Sequence, residues 1–134
     1  MALARQDTEE SPRKRRLLVV DDNRDAAESM SMLLQMWGHE VVFAYDGPSA
    51  LETAEQWQPE AVILDIGLPG MNGYEVAVRM RELPHARNAV LIAITGYGRD
   101  DDRLRSQRAG IDHHLVKPVA PDALRDLVDS LQLH

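Results

Sequence analysis

The sequence predicts a doubly wound α/β fold, in which a five-stranded parallel sheet is flanked by five helices. Three observations carry this. Short apolar runs recur along the chain, most of them without the alternation of a strand that has one wet face. Each run is followed by turn residues and then by a segment whose apolar residues fall at helical spacing. At 134 residues, 44% of them hydrophobic, the chain is long enough for one proper core.

Residues 1–14 are polar, include Pro12 and read as a flexible tail; the basic run Arg13, Lys14, Arg15 and Arg16 reads as a solvated lead-in to the fold. "RLLVV" (Arg16 to Val20) is the first strand and ends on Asp21 and Asp22. A helix capped near Asp22 or Asn23 follows, with Ala26, Met30, Leu33, Leu34 and Trp37 on its inner face, and Gly38 stops it. "EVVFA" (Glu40 to Ala44) is the second strand, more edge-like because of Glu40. Asp46, Gly47 and Pro48 then open a helix carrying Ala50, Leu51 and Ala54, which Pro59 ends. "AVILD" (Ala61 to Asp65) is the third strand, and the turn-rich "LPGMNG" leads to a helix from near Asn72 with Val76, Ala77 and Met80 inward, broken at Pro84. "AVLIAIT" (Ala89 to Thr95) is the fourth strand. Beyond "TGYG", a very polar helix runs from about Arg99 to Ala109 with Leu104 as its only large apolar residue. "HHLV" (His113 to Val116) is the fifth strand, and Pro121 opens a last helix with Leu124, Leu127, Val128 and Leu131 on one face. Strands one, three, four and five are read as covered on both faces.

Composition excludes several function classes. A net charge of −7 argues against nucleic-acid or anionic-membrane binding, since phosphate would be repelled. The absence of cysteine excludes disulfides, thiolate metal sites and cysteine nucleophiles, and it suits a reducing cytoplasm. No apolar run approaches the roughly 18 residues of a membrane helix, and no secretory h-region opens the chain. Neither GxxxxGK[ST] nor GxGxxG occurs, which counts against a nucleotide-binding module.

In an open parallel sheet, ligands bind beyond the carboxyl ends of the strands. Just past those ends lie Asp21 and Asp22 (strand one), Asp65 (strand three), Thr95 (strand four) and Lys117 followed by Pro118 (strand five). Each alone has a structural explanation. Together they are complementary. Gathered carboxylates repel by about 4 kcal/mol per close pair at an effective dielectric near 20. Lys117 offsets part of this, and a hard divalent cation, Mg²⁺ by ligand type, would offset the rest. Carboxylate, cation and hydroxyl in one place suit acceptance of a phosphoryl group.

Four motifs in this order, "VVDDN", "ILDIGLPGMNGYE", "AITG" and "LVKP", give the chain from about Arg15 to Leu131 a close likeness. It resembles the response-regulator receiver domains of two-component signalling. The resemblance implies a flavodoxin-like fold with strand order 2-1-3-4-5 and a receiver domain over residues 15–134. It also implies that Asp65 is the phosphoacceptor for a histidine kinase or histidine phosphotransfer protein, in a signalling domain that is not an enzyme. Asp21, Asp22, Asp65 and the backbone carbonyl of Gly67 would hold Mg²⁺, Lys117 and Thr95 would contact the phosphoryl oxygens, and the Lys117–Pro118 peptide would be cis. A downstream protein would dock on the face made by helix four, strand five and helix five.

Departures from the family pattern carry expectations of their own. His114 stands where an aromatic switch residue is usual, and its charge would respond to pH. Gly67 and Tyr97 offer no acid or amide at the two positions that help to place the hydrolytic water, so slow self-dephosphorylation is expected. The polar fourth helix, hinged by Gly96 and Gly98, is expected to rearrange on phosphorylation. An aspartate-nucleophile phosphatase would need a second Asp where Gly67 stands. Ending at His134, the chain reads as a single-domain cytoplasmic regulator without an output domain. The alternative is the receiver portion of a hybrid histidine kinase, whose wording "GLPGMNGYEVA" and "ITGYG" resemble.

Overall fold

In the computed structural model, which describes residues 14–96 and 100–131, five strands and five helices alternate. The strands are β1 (Arg16–Val20), β2 (Glu40–Ala44), β3 (Ala61–Asp65), β4 (Val90–Thr95) and β5 (His113–Val116). The helices are α1 (Arg24–Met36), α2 (Gly47–Trp57), α3 (Gly73–Arg81), α4 (Asp100–Arg108) and α5 (Pro121–Ser130). All strands are parallel, in the order β2-β1-β3-β4-β5, with Leu17 opposite Val41 and Ala61, Ile63 opposite Ile92, and Thr95 opposite Val116.

Strand alternation sorts the core into two layers. Leu18, Val20, Val62, Leu64, Leu91 and Ala93 face Ala50 and Ala54 of α2, Val76, Ala77 and Met80 of α3, and Ala109 just past α4. Leu17, Val19, Ala61, Ile63, Ile92 and Ile94 face the opposite way, onto Ala27 and Leu34 of α1 and Leu124 and Val128 of α5. β3, the middle strand, is buried at every residue, and Val62, Ile63 and Leu64 each contribute about 1.5–3 kcal/mol by leaving water. Local signals set where the helices begin. Asn23, Asp46 and Asn72 cap α1, α2 and α3 by accepting backbone N–H bonds from Ala26, Ser49 and Glu75. Gly38, at φ +99°, lets the chain leave α1 in a conformation that a side chain would oppose.

Several sequence expectations need correction. Ala26 is exposed and Ala27 is buried in its place, because the inner stripe of α1 runs through Ala27, Ser31 and Leu34. β5 is a half-buried edge, and Val116 at its end is exposed, so its apolar residues do not reflect cover on both faces. Leu104, expected as the only large apolar residue of α4, is exposed, and the buried residues there are Ser106 and, just past the helix, Ala109. The largest correction is Arg15, read as solvated but only 5% exposed. Its carbonyl accepts the Glu40 N–H (2.9 Å), its N–H donates to His39 Nδ1 (3.2 Å), and its Nη2 donates to the Asp129 carbonyl in the last turn of α5 (3.4 Å). A guanidinium at a helix C-terminus complements the helix dipole, so burial here ties α5 to the start of β1. Of the expected tail, only Lys14 lies among the described residues. No helix among them is long and apolar enough to cross a membrane.

Candidate phosphoacceptor site

The cleft is built where the sheet ends. β1 pairs with β3 in register, so the residues that leave both strands come out on one edge. Asp65, the last residue of β3, is 5% exposed and lies opposite Ile94 of β4. Asp21 is half-buried and Asp22 exposed, and one carboxylate oxygen from each of Asp21, Asp22 and Asp65 lies within 4.8 Å of the others. All three donors are hard oxygens with no sulfur or imidazole among them, which fits a small divalent cation such as Mg²⁺.

The carboxylate of Asp65 is oriented from two sides. Its Oδ1 accepts the Gly67 N–H at 2.9 Å, and its Oδ2 accepts a bond from Lys117 Nζ at 3.1 Å. Lys117 is placed by its own backbone, whose N–H donates to the Thr95 carbonyl at 2.7 Å, and the Lys117–Pro118 peptide is cis. Asp21 Oδ1 accepts the Asn23 N–H at 2.9 Å. Burial, opposed by that bond, and then the charge of Asp65 push the Asp21 carboxyl above the usual carboxylate range. Uptake of a positive charge would relieve this crowding.

The structure therefore brings Asp21, Asp22, Asp65 and Lys117 together, with Thr95 buried at the end of the adjoining strand. His114 sits half-buried on β5, opposite Ala93 and three residues before Lys117. Gly67 is exposed beside Asp65, where an added Cβ would stand 3.5 Å from Asp65 Oδ1. Tyr97 and Gly98 lie outside the described residues.

Sequence reasoning missed Gly73. A Cβ there would come within 2.6 Å of Ile66 Cα and 2.8 Å of the Asp65 carbonyl oxygen, while the Gly73 N–H donates to the Ile66 carbonyl at 3.0 Å. Only glycine lets α3 start hard against the segment that aims Asp65. The Asn72-Gly73 dipeptide is a turn signal in the sequence, but nothing in it shows what the turn approaches.

Comparison with known proteins points the same way. Residues 17–129 match the response regulator receiver domain family. The uncharacterized 14.6 kDa protein in the sodA1 3′ region of Leptolyngbya boryana is 37% identical over 112 residues, which cover 84% of this chain and 86% of that protein. Chemotaxis protein CheY4 of Vibrio cholerae superposes with a TM-score of 0.85 at 26% identity, over 90% of this chain and 100% of that one. The receiver domain of sensor histidine kinase PA1611 from Pseudomonas aeruginosa, solved with a magnesium ion coordinated in its active site cleft, gives 0.78 at 27% identity, over 87% and 95%. The chain spans under half the length of the transcriptional regulators it also matches, 43% of one that is 36% identical. With nearly the whole sheet-and-helix unit inside the matched span, this chain belongs to the response regulator receiver domain family.

Proposed function

We propose that this chain accepts a phosphoryl group on Asp65 from a histidine kinase or a histidine phosphotransfer protein, and that the phosphorylated form changes its binding to a downstream protein. One observation carries the reading: a nearly buried carboxylate, 3.1 Å from the Lys117 ammonium, shares a cleft with two further carboxylates. A structural acid at a strand end needs no such company.

In the proposed step an Asp65 oxygen attacks phosphorus as the P–N bond of the phosphohistidine breaks, and the imidazole leaves with a proton from solvent. Lys117 already touches Asp65 and neutralises charge on the phosphoryl oxygens once they arrive. Thr95, at the end of β4, donates its hydroxyl to one of them. Asp21, Asp22, Asp65 and the Gly67 carbonyl would hold Mg²⁺, which when bound offsets charge on the cleft and on the phosphoryl group. The domain positions reactants for its own modification and its reversal, and turns over no separate substrate.

The downstream partner docks on the α4-β5-α5 face, a reading supported by Leu104 and Val116, both about half exposed. The same chemistry serves a separate regulator and the receiver portion of a hybrid kinase, and in both the donor is a phosphohistidine. We place the domain in the cytoplasm, where such donors and a cysteine-free chain are both at home.

Intact-mass measurement after incubation with acetyl phosphate and Mg²⁺ tests the core of this. One phosphoryl group on the wild type and none on Asp65→Asn is expected. No adduct on either protein would overturn it.

A further inference from the structure

The carboxylates that make the cleft also repel what it must receive, because acetyl phosphate and phosphohistidine are themselves anionic at neutral pH. Until a phosphoryl group arrives, Lys117 is paired with Asp65 and offers little to draw the donor in. A second cation lies on the same edge of the sheet. Arg24 opens α1 two residues after Asp22, and its guanidinium carbon lies 4.6 Å from the centroid of the Tyr45 ring. Tyr45 follows Ala44, whose carbonyl accepts the Asp21 N–H at 3.1 Å. Both members of the stack are thus anchored within a few residues of the carboxylates, on the same edge of the sheet.

What Arg24 does not do is as informative. It follows Asp21 and Asp22 and precedes Asp25 and Glu28, yet among the described residues no carboxylate lies within 4.0 Å of its guanidinium. The half-buried ring holds the cation by a cation–π contact, while Arg24 itself stays exposed. An exposed arginine kept out of ion pairs in so acidic a surrounding leaves N–H donors that an incoming anion can engage.

We propose that Arg24, held by Tyr45, is a positioning residue that recruits the anionic phosphodonor to the cleft; this rests on Asp65 being the phosphoacceptor. Arg24 is exposed and Asp65 nearly buried, so the contribution falls on capture of the donor and not on transfer of the phosphoryl group.

Initial rates of phosphorylation, measured against acetyl phosphate concentration in Mg²⁺ buffer at low and high salt, test this for wild type, Arg24→Ala, Arg24→Lys and Tyr45→Leu. Arg24→Ala is expected to raise the half-saturating concentration about three- to tenfold at low salt with the saturating rate unchanged, and to lose most of the salt dependence. Arg24→Lys should restore most of the lost affinity, and Tyr45→Leu should fall between. A stack that only braces α1 against β2 would lower thermal stability without this split between affinity and rate. Equal half-saturation in wild type and Arg24→Ala would overturn the inference and leave the phosphoacceptor reading standing. Absence of any adduct on the wild type would remove both.

Discussion

At Asp65 two neighbours divide the carboxylate between them, the Gly67 N–H on one oxygen and the Lys117 ammonium on the other. The glycine has a second consequence. A side chain at position 67 would touch Asp65 Oδ1, close enough for an amide to orient a water toward the phosphoryl group, and glycine has none to offer. Phosphoaspartate on the wild type should therefore last minutes or longer in Mg²⁺ buffer, and Gly67→Asn should shorten its lifetime roughly tenfold. Timed loss of the mass adduct checks both, and a wild-type lifetime of seconds would sink the idea. Gly73 sets the approach of α3 to the same segment. Because a methyl group there meets backbone and not a flexible side-chain end, Gly73→Ala should cost about 2–4 kcal/mol in urea unfolding and slow adduct formation as the Asp65 segment shifts.

Among the described residues, α4 gives the core less than α3 does. α3 places Val76, Ala77 and Met80 in the core, whereas α4 offers the core Ser106, whose buried hydroxyl has no hydrogen-bond partner among the described residues. A buried, unsatisfied hydroxyl subtracts from docking. Part of the deficit is made up from outside. Arg105 stacks on the Tyr74 ring at 4.3 Å, and Arg81 of α3 donates to the Gly110 carbonyl at 2.6 Å and to Asp112 Oδ2 at 2.8 Å. The stack holds the last turns of α4, and the Arg81 bonds hold the turn after it. Amide exchange in α4 should be faster than in α3 or α5, and it should change on adding beryllofluoride with Mg²⁺ as a phosphoryl mimic. Exchange in α4 as slow as in α3, or unaltered by the mimic, would count against this element as the moving part.

Across the whole molecule, the end opposite the cleft carries a clasp of its own. Burial, with the neighbouring Arg15 guanidinium second, holds the His39 imidazole below its ordinary range, against the smaller pull of Asp129 and Glu60. His39 Nδ1 accepts the Arg15 N–H, a bond that needs the ring neutral. The unfolded chain therefore binds more protons than the folded one. Stability is full above about pH 6.5 and declines as pH falls through the lowered folded value. Urea midpoints measured from about pH 7.5 to 5 should drop less steeply for His39→Gln than for wild type, and parallel curves would exclude this role. Arg15 and His39 show where sequence reading stopped, because arginine in a basic run reads as solvated until α5 is known to end over it. The same holds for β5, whose apolar letters do not reveal an edge, and for the stack of Arg24 on Tyr45. By itself the sequence determined the element order, the caps and which polar residues leave the buried strands, because these follow from local periodicity and strand ends. Only the tertiary structure decided which residues share a face, which cations stay unpaired and where glycine is obligatory, because these depend on segments far apart in the chain being brought together.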